Sequence, residues 1–322
     1  MSKVGDRANS LPTLYGQVVV GPPGSGKTVY CHGLQQFFSS IGRPCAVVNL
    51  DPANETARYQ SDVDVKDLVD LERVQDELGL GPNGGLMFAM EYLEKNVDWL
   101  EEKIRSLVGK TGESGELPYF VFDLPGQVEL TTCHDGLLRV LNVLTGALGM
   151  RLAAVHIVDC HLCTEPAKYL SALVLSLSTM LYLGLPHVNV LSKVDMLEQF
   201  GELEFQPQYF LNPINLEYLA ESVEESMDPK FAKATHSLCE ILQDFGMITF
   251  APLAVEDAES MAYVVRLADK ANGYALSGNK TATMSSVPGI MNVLDTEDPE
   301  DIWARIQQRN KNHAPTPSHC DD

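Results

Sequence analysis

A chain of 322 residues, 45% of them hydrophobic, is long enough to bury a sizeable core as one large domain or one domain with an insertion. Its 23 basic and 44 acidic residues leave a net charge of −21, which argues against a nucleic-acid footprint built on phosphate neutralisation. No run of ~18 or more apolar residues is present, so no membrane partner is expected. Seven scattered cysteines, an odd number, argue for a reducing compartment over a disulfide framework, and a cytoplasmic location is expected.

Residues 1–14 lack the apolar core of a secretory signal and read as a disordered leader. The first strand, QVVVG (17–21), runs into GPPGSGKT, which sets Gly21, Gly26, Lys27 and Thr28 in the G-x-x-x-x-G-K-[ST] pattern before a helix. Along Gly21, Pro22, Pro23, Gly24, Ser25 and Gly26 the glycines let the loop's backbone N–H groups, which the prolines lack, close around a β-phosphate, and the helix N-terminus adds partial positive charge. Lys27 would bridge β- and γ-phosphates, and the Thr28 hydroxyl would hold Mg²⁺. The second strand, CAVVNL (45–50), ends at Asp51 in NLDPANE. Asp51 has two readings, a turn-forming Asp-Pro or a carboxylate reaching the Mg²⁺ and the attacking water.

Residues 64–110 then predict two helices, about 64–79 and 86–109, parted by the uncharged stretch GPNGGL (81–86). From the residues alone that stretch is a tight helix-connecting turn. The third long apolar run, YFVFD (119–123), leads into LPGQVE. Asp123 at the strand end can hold a Mg²⁺-bound water, and the Gly126 amide can sense a γ-phosphate. Gln127 stands where P-loop GTPases place a water-orienting glutamine. Glu129 is either a catalytic acid or a solvated helix-start residue.

LAAVHIVD (152–159) is a further strand, followed by Cys160 and Cys163 at C-x-x-C spacing. With no second Cys or His pair to complete a zinc site, these read as buried or incidental. HVNVLS (187–192) ends in Ser192-Lys193-Val194-Asp195. Asp195 can accept from guanine N1–H and its 2-amino group together, and the Lys193 stem can pack over the ring. The usual signature is Asn-Lys-x-Asp; Ser192 departs from it and removes an amide that normally braces the loop. Residues 200–245 predict a helical lid, MITFAPL (247–253) a last strand. FAPL, including Pro252, falls where backbone amides touch guanine O6. Beyond 275 the composition becomes that of a flexible tail (276–322), with EDPEDIWARIQQRN as a short helix.

The alternation of apolar runs with helical patterns predicts an α/β fold, a P-loop NTPase three-layer sandwich with a mostly parallel sheet and helical insertions. GPPGSGKT, NLDPANE, GPNGG, FDLPGQVE and LSKVD, in that order over about residues 15–270, resemble the GPN-loop GTPase family, closest to the second eukaryotic type within it. The resemblance implies GTP and GDP as ligands with Mg²⁺ held by Thr28, Asp51 and Asp123, and catalysis by Asp51, Gln127, Glu129 and Asn83. It implies that Gly81, Pro82 and Asn83 reach across a dimer into the partner's site, with either a second copy or a GPN-loop paralogue. It also implies assembly and nuclear delivery of RNA polymerase II, hence client subunits or assembly factors as partners and shuttling between cytoplasm and nucleus. Two other classes fit the residues: a P-loop ATPase or small-molecule kinase, and a scaffold that binds GTP without turnover.

Overall fold

The computed structural model describes residues 13–54, 58–112, 117–132, 134–199, 203–226, 228–277 and 298–313. Most of the expected leader, Glu55 of NLDPANE and residues 278–297 and 314–322 of the expected tail lie outside these residues.

One seven-stranded sheet organises the chain, with strand order β3-β2-β4-β1-β5-β6-β7 and every pairing parallel. The strands are β1 (Tyr15–Val20), β2 (Cys45–Asn49), β3 (Val63–Asp64), β4 (Tyr119–Asp123), β5 (Arg151–Asp159), β6 (His187–Ser192) and β7 (Phe250–Leu253). Their near-continuous apolar runs are what a sheet covered on both faces requires, and β1 and β4 are buried at every position. The expected α/β sandwich is what forms, with two differences. The strand β3 is too short to announce itself by periodicity, and Asp64 at its end caps a 3₁₀ turn by accepting from the Lys66 N–H. The last strand is shorter than MITFAPL predicts.

Helices pack on both faces. On one lie α1 (Lys27–Ser40), α7 (Pro166–Leu183) and α11 (Ala258–Asn272), around Tyr30, Leu34, Phe38, Tyr169, Leu173 and Val264. On the other lie α3 (Pro82–Lys95), α4 (Val97–Gly112) and α6 (Asp135–Gly146), around Met90, Leu93, Leu100, Ile104, Val140 and Leu144. The short α5 (Val128–Thr132) follows β4. Because β1 is flanked by β4 and β5, successive crossovers leave it in opposite directions. The crevice at its carboxyl end is where open α/β sheets take ligands.

The expected pair of insertion helices is corrected. The stretch from 64 begins with β3 and its 3₁₀ turn, and α2 covers only Leu71–Leu78. It starts where the Asp70 carboxylate accepts from the Arg73 N–H and stops at Gly79. GPNGGL is then not a loop between helices but the first turns of α3. Gly81 is its cap and Pro82 its first residue, whose fixed φ suits that position. Gly85 packs closely on α2: a Cβ there would stand 2.9 Å from Gln75 Cγ and 3.0 Å from Leu71 Cδ1, so a larger residue would have to displace those side chains. The helix expected over 86–109 breaks at Asn96, whose side-chain amide donates to the Tyr92 carbonyl and leaves α4 to start afresh.

Between β6 and β7 stand α8 (Pro207–Leu211), α9 (Glu217–Ser226) and α10 (Ala232–Phe245). This is the stretch expected as a lid; α9 and α10 pack on α7, and α8 packs beside β7. An apolar groove of about 600 Å³ opens between α7, α9 and α10, lined by Leu170, Val174, Val223, Phe231 and Leu238. It shares none of its lining with the phosphate loop. In the expected tail, the short helix read from EDPEDIWARIQQRN is α12 (Pro299–His313), and Ile302, Trp303 and Ile306 dock it against the domain.

Candidate functional site

The phosphate loop follows β1 into α1. Gly21, Gly24 and Gly26 take φ of 148°, 77° and 101°, backbone that side-chain-bearing residues rarely adopt. Gly21 has a second constraint, since a Cβ there would lie 2.3 Å from the Ile157 carbonyl oxygen of β5. The Ser25 N–H donates to the Pro22 carbonyl at 3.3 Å, while Pro23 lies against the loop of Gly126. The α1 cap, Gly26, brings no side-chain acceptor, so the first N–H groups of α1 face the loop with their partial positive charge.

Lys27 is 7% exposed and its Nζ donates to the Pro22 carbonyl at 3.1 Å. Burial lowers its pKa, opposed by the carboxylates of Asp123 and Asp51. Gly126 closes over this ammonium. A Cβ at Gly126 would stand 2.8 Å from Lys27 Nζ and 3.1 Å from Pro23 Cα, so a side chain there would push the ammonium and the loop aside.

Asp123, at the carboxyl end of β4, is the hub. Its Oδ2 accepts from Tyr59 OH at 2.8 Å, Thr28 Oγ1 at 3.1 Å and Asn54 Nδ2 at 3.2 Å. Its Oδ1 is buried without a partner. Desolvation pushes the carboxyl up to about 6, against the Tyr59 and Thr28 hydrogen bonds. A hydroxyl beside a buried carboxylate with a spare oxygen suits Mg²⁺, which takes few protein oxygens and completes its shell with water and substrate phosphate. Asp51 forms the Asp-Pro turn and also stands near the Lys27 and Asp123 charges. Its Oδ1 accepts the Ala53 N–H at 3.0 Å, forming the Asp-Pro turn, and its charge acts on Lys27 and Asp123. Burial raises its pKa, with the Ala53 N–H and Lys27 opposing.

Gln127 is half-buried directly after Gly126, and Glu129 is exposed in the first turn of α5. Gly81, Pro82 and Asn83 are all exposed.

Ser192 lacks the amide that normally braces the loop, as expected, but its hydroxyl braces the loop instead. The Ser192 Oγ reaches the Ser25 carbonyl at 2.7 Å and the Val158 carbonyl at 3.1 Å, tying β6 to the phosphate loop and β5. Lys193 takes φ 59°; its Nζ bridges the Gly24 carbonyl at 2.8 Å and Asp159 Oδ2 at 2.5 Å, laying its stem beside Gly26. Cys160 Sγ donates to the Lys193 carbonyl at 2.9 Å, so this cysteine of the C-x-x-C pair is structural. Asp195 follows, exposed, with burial of part of its carboxyl raising its pKa. Pro252 is placed elsewhere than expected. It is buried within β7 opposite Leu191 and has no N–H to give. An amide directed at a base would come from the following residues instead, and the Ala254 N–H is already engaged with Ser260 Oγ at 3.2 Å.

Sequence reasoning missed Tyr59, Asn54 and Asp159. Tyr59 is 6% exposed, with its ring in the core and its hydroxyl also within 3.2 Å of Asn49 Oδ1. Asn54 is the last residue of DPAN, and Lys66 Nζ holds its carbonyl at 2.6 Å. A tyrosine four residues after a polar motif carries no periodic signal; only the fold shows where it returns.

A family model described as a conserved hypothetical ATP binding protein matches residues 19–274. GPN-loop GTPase 2 of Danio rerio is 49% identical over 282 residues, 85% of this chain and 87% of that protein. GPN-loop GTPase QQT1 of Arabidopsis thaliana is 47% identical, over 82% of this chain and 87% of that one. Among solved structures, a GTPase in apo form from Pyrococcus abyssi superposes with a TM-score of 0.61 at 23% identity, over 80% of this chain and 97% of its own, a likeness of fold. With its phosphate loop, Asp123 hub and Ser-Lys-x-Asp loop gathered at the carboxyl end of the sheet, and with relatives of this similarity spanning most of its length, the chain belongs to the GPN-loop GTPase family.

Proposed function

We propose that this chain binds GTP with Mg²⁺ and hydrolyses it as a dimer-dependent switch. The observation that carries the reading is convergence: Lys27, Thr28, Asp123 and the Lys193–Asp195 loop meet at the carboxyl ends of adjacent strands, although they lie far apart in the chain.

Lys27 and the N-terminus of α1 hold the triphosphate, and Thr28, Asp123 and Asp51 are the residues that would hold Mg²⁺. The ion supplies neutralisation of charge on the β- and γ-phosphate oxygens. Gln127 orients the attacking water from the loop that Gly126 keeps against Lys27, and Glu129 follows two residues on, in the first turn of α5. Asp195 accepts from the guanine N1–H and 2-amino group while the Lys193 stem covers the ring. Gly81, Pro82 and Asn83 are exposed at the start of α3 and carry no charge. A neutral carboxamide there supports a role for Asn83 at the γ-phosphate or the water of a second subunit, whether that is another copy or a paralogue. The role in RNA polymerase II assembly and nuclear delivery, with its cytoplasmic and nuclear locations, rests on the family resemblance alone.

GTP hydrolysis per molecule, measured against protein concentration with Mg²⁺, should rise to a plateau as a second copy completes the site. Asn83→Ala should lower that plateau about 10²-fold while leaving GTP affinity within a factor of about three, the pattern of a group acting only in the transition state. A rate independent of concentration and of Asn83 would remove the trans role. The description of the matched family as ATP binding supports a second reading, in which adenine is the base. Equal competition by ATP against bound GTP would favour it.

A further inference from the structure

The base-reading loop is clamped from two sides. From within, Cys160 and Ser192 hold its backbone to β5 and the phosphate loop. From outside, α12 packs on the 3₁₀ turn Val194–Gln199, on β7 and on α8. This helix lies beyond the residues the family model matches. Its apolar side is anchored by Ile302, Trp303 and Ile306, each 3% exposed or less. Its polar side carries Arg309, whose guanidinium bonds Asp257 and Glu259 at the start of α11, and Arg305, 3.6 Å from Glu259. The next residue, Asn310, donates through Nδ2 to the backbone carbonyl of Asp195 at 2.9 Å.

That contact falls on the residue assigned to read guanine. An Asp that must accept two hydrogen bonds in the plane of a purine needs its backbone fixed, because a displacement of about 1 Å forfeits much of a positioned interaction. Its own carboxylate is the wrong group to fix it with, since both oxygens are needed by the base. The backbone carbonyl is the handle left over, and Asn310 takes it. Arg309 works alongside, placing a positive charge against Asp257 and Glu259 in an acidic corner that also contains Glu256 beside Asp195.

We propose that α12 is a positioning element for nucleotide-base recognition, in which Asn310 holds the Asp195 backbone so that its carboxylate meets the guanine edge. The proposal rests on the guanine reading above. It makes Asn310 a positioning residue, acting through Asp195 and touching no nucleotide itself. It also couples the C-terminal segment to nucleotide choice, so that a factor pulling α12 away would loosen base selection and leave phosphate binding intact.

The test compares GDP with IDP, which lacks only the 2-amino group, by displacement of a fluorescent GDP from the full chain. Phosphate and ribose contacts are common to both, so the ratio of affinities reports the pairing with Asp195. The wild type should prefer GDP by about tenfold or more. Asn310→Ala should reduce that ratio about fivefold, the scale of one lost hydrogen bond, with IDP, which keeps only the N1–H, weakened less than GDP. Ile306→Asp, which undocks the helix, should reduce it at least as far. As a control, Asp195→Asn should weaken GDP and strengthen XDP, whose C2 carbonyl needs a donor. If the wild type prefers GDP and both helix variants keep the ratio, the proposal fails and the guanine reading stands. A wild type that binds IDP and ADP as tightly as GDP overturns the guanine reading, and the role of α12 with it.

Discussion

Replacing Arg43 with methionine should cost about 3–5 kcal/mol of folding stability, the range for breaking a buried ion pair by removing one partner. The residue lies between α1 and β2, and its guanidinium makes a two-pronged bond to Asp269 of α11 at 2.8 and 2.9 Å. Both side chains are nearly sealed, at 5% and 6% exposure. Three rings enclose the cation, with Tyr274, Tyr119 and Phe38 centroids 3.9, 4.0 and 4.4 Å from its carbon. A methionine would fill much of the volume but leave the Asp269 carboxylate among aromatic rings. Burial already pushes that carboxyl's pKa up, and the Arg43 hydrogen bonds are what oppose it. The companion variant Arg43→Met with Asp269→Leu should recover most of the loss, because no charge is then left unpaired. Denaturant midpoints at constant m-value measure both. A loss under about 1 kcal/mol in the single variant would show that water or a rearranged neighbour reaches Asp269.

The pair joins residues 226 positions apart, and this separation explains what was legible in the sequence. The phosphate loop is read from eight consecutive residues because its chemistry is local: glycines that set backbone direction, a lysine and a hydroxyl on the first turn of a helix. The strands are legible because burial on both faces forces unbroken apolar runs. The GPN stretch misleads because glycine and proline mark turns by composition. At Gly81 and Pro82 they instead start a helix, and Gly85 packs closely on Gln75 and Leu71 across the gap. Ser192 misleads in the opposite way. Measured against the usual asparagine it is a loss, but its hydroxyl finds the Ser25 carbonyl 167 residues earlier. The network around Asp123 draws Thr28, Asn54 and Tyr59 from separate segments, and no spacing rule links a tyrosine to a carboxylate 64 residues on. Local geometry is written in consecutive residues; satisfaction of buried polar atoms is written only in the fold.

Asp123→Asn should separate function from stability. The wild-type carboxylate is 1% exposed. Its pKa is raised to about 6 from an unfolded value near 3.8. A carboxyl raised on folding binds more protons in the native state, so its favourable contribution is complete below pH ~4 and is lost as the pH rises through about 6. At pH 7.5 the buried charge therefore costs on the order of 3 kcal/mol. Asparagine keeps an acceptor for Tyr59 and Thr28 without that charge. The variant should melt several degrees above wild type at pH 7.5, with the gap closing as the pH falls from 6 toward 4. Hydrolysis of GTP with Mg²⁺ should move the other way, falling about 10³-fold, the scale for losing one preorganised charged contact at a phosphoryl centre. Mg²⁺ should likewise raise the melting temperature of wild type with GDP and leave the variant nearly unmoved, since a ligand stabilises only through the affinity it has for the folded state. A variant that melts lower at pH 7.5 would mean that Asp123 is compensated in the free protein. One that hydrolyses GTP at the wild-type rate would mean that the metal is held elsewhere, and Asp51 would become the residue to change.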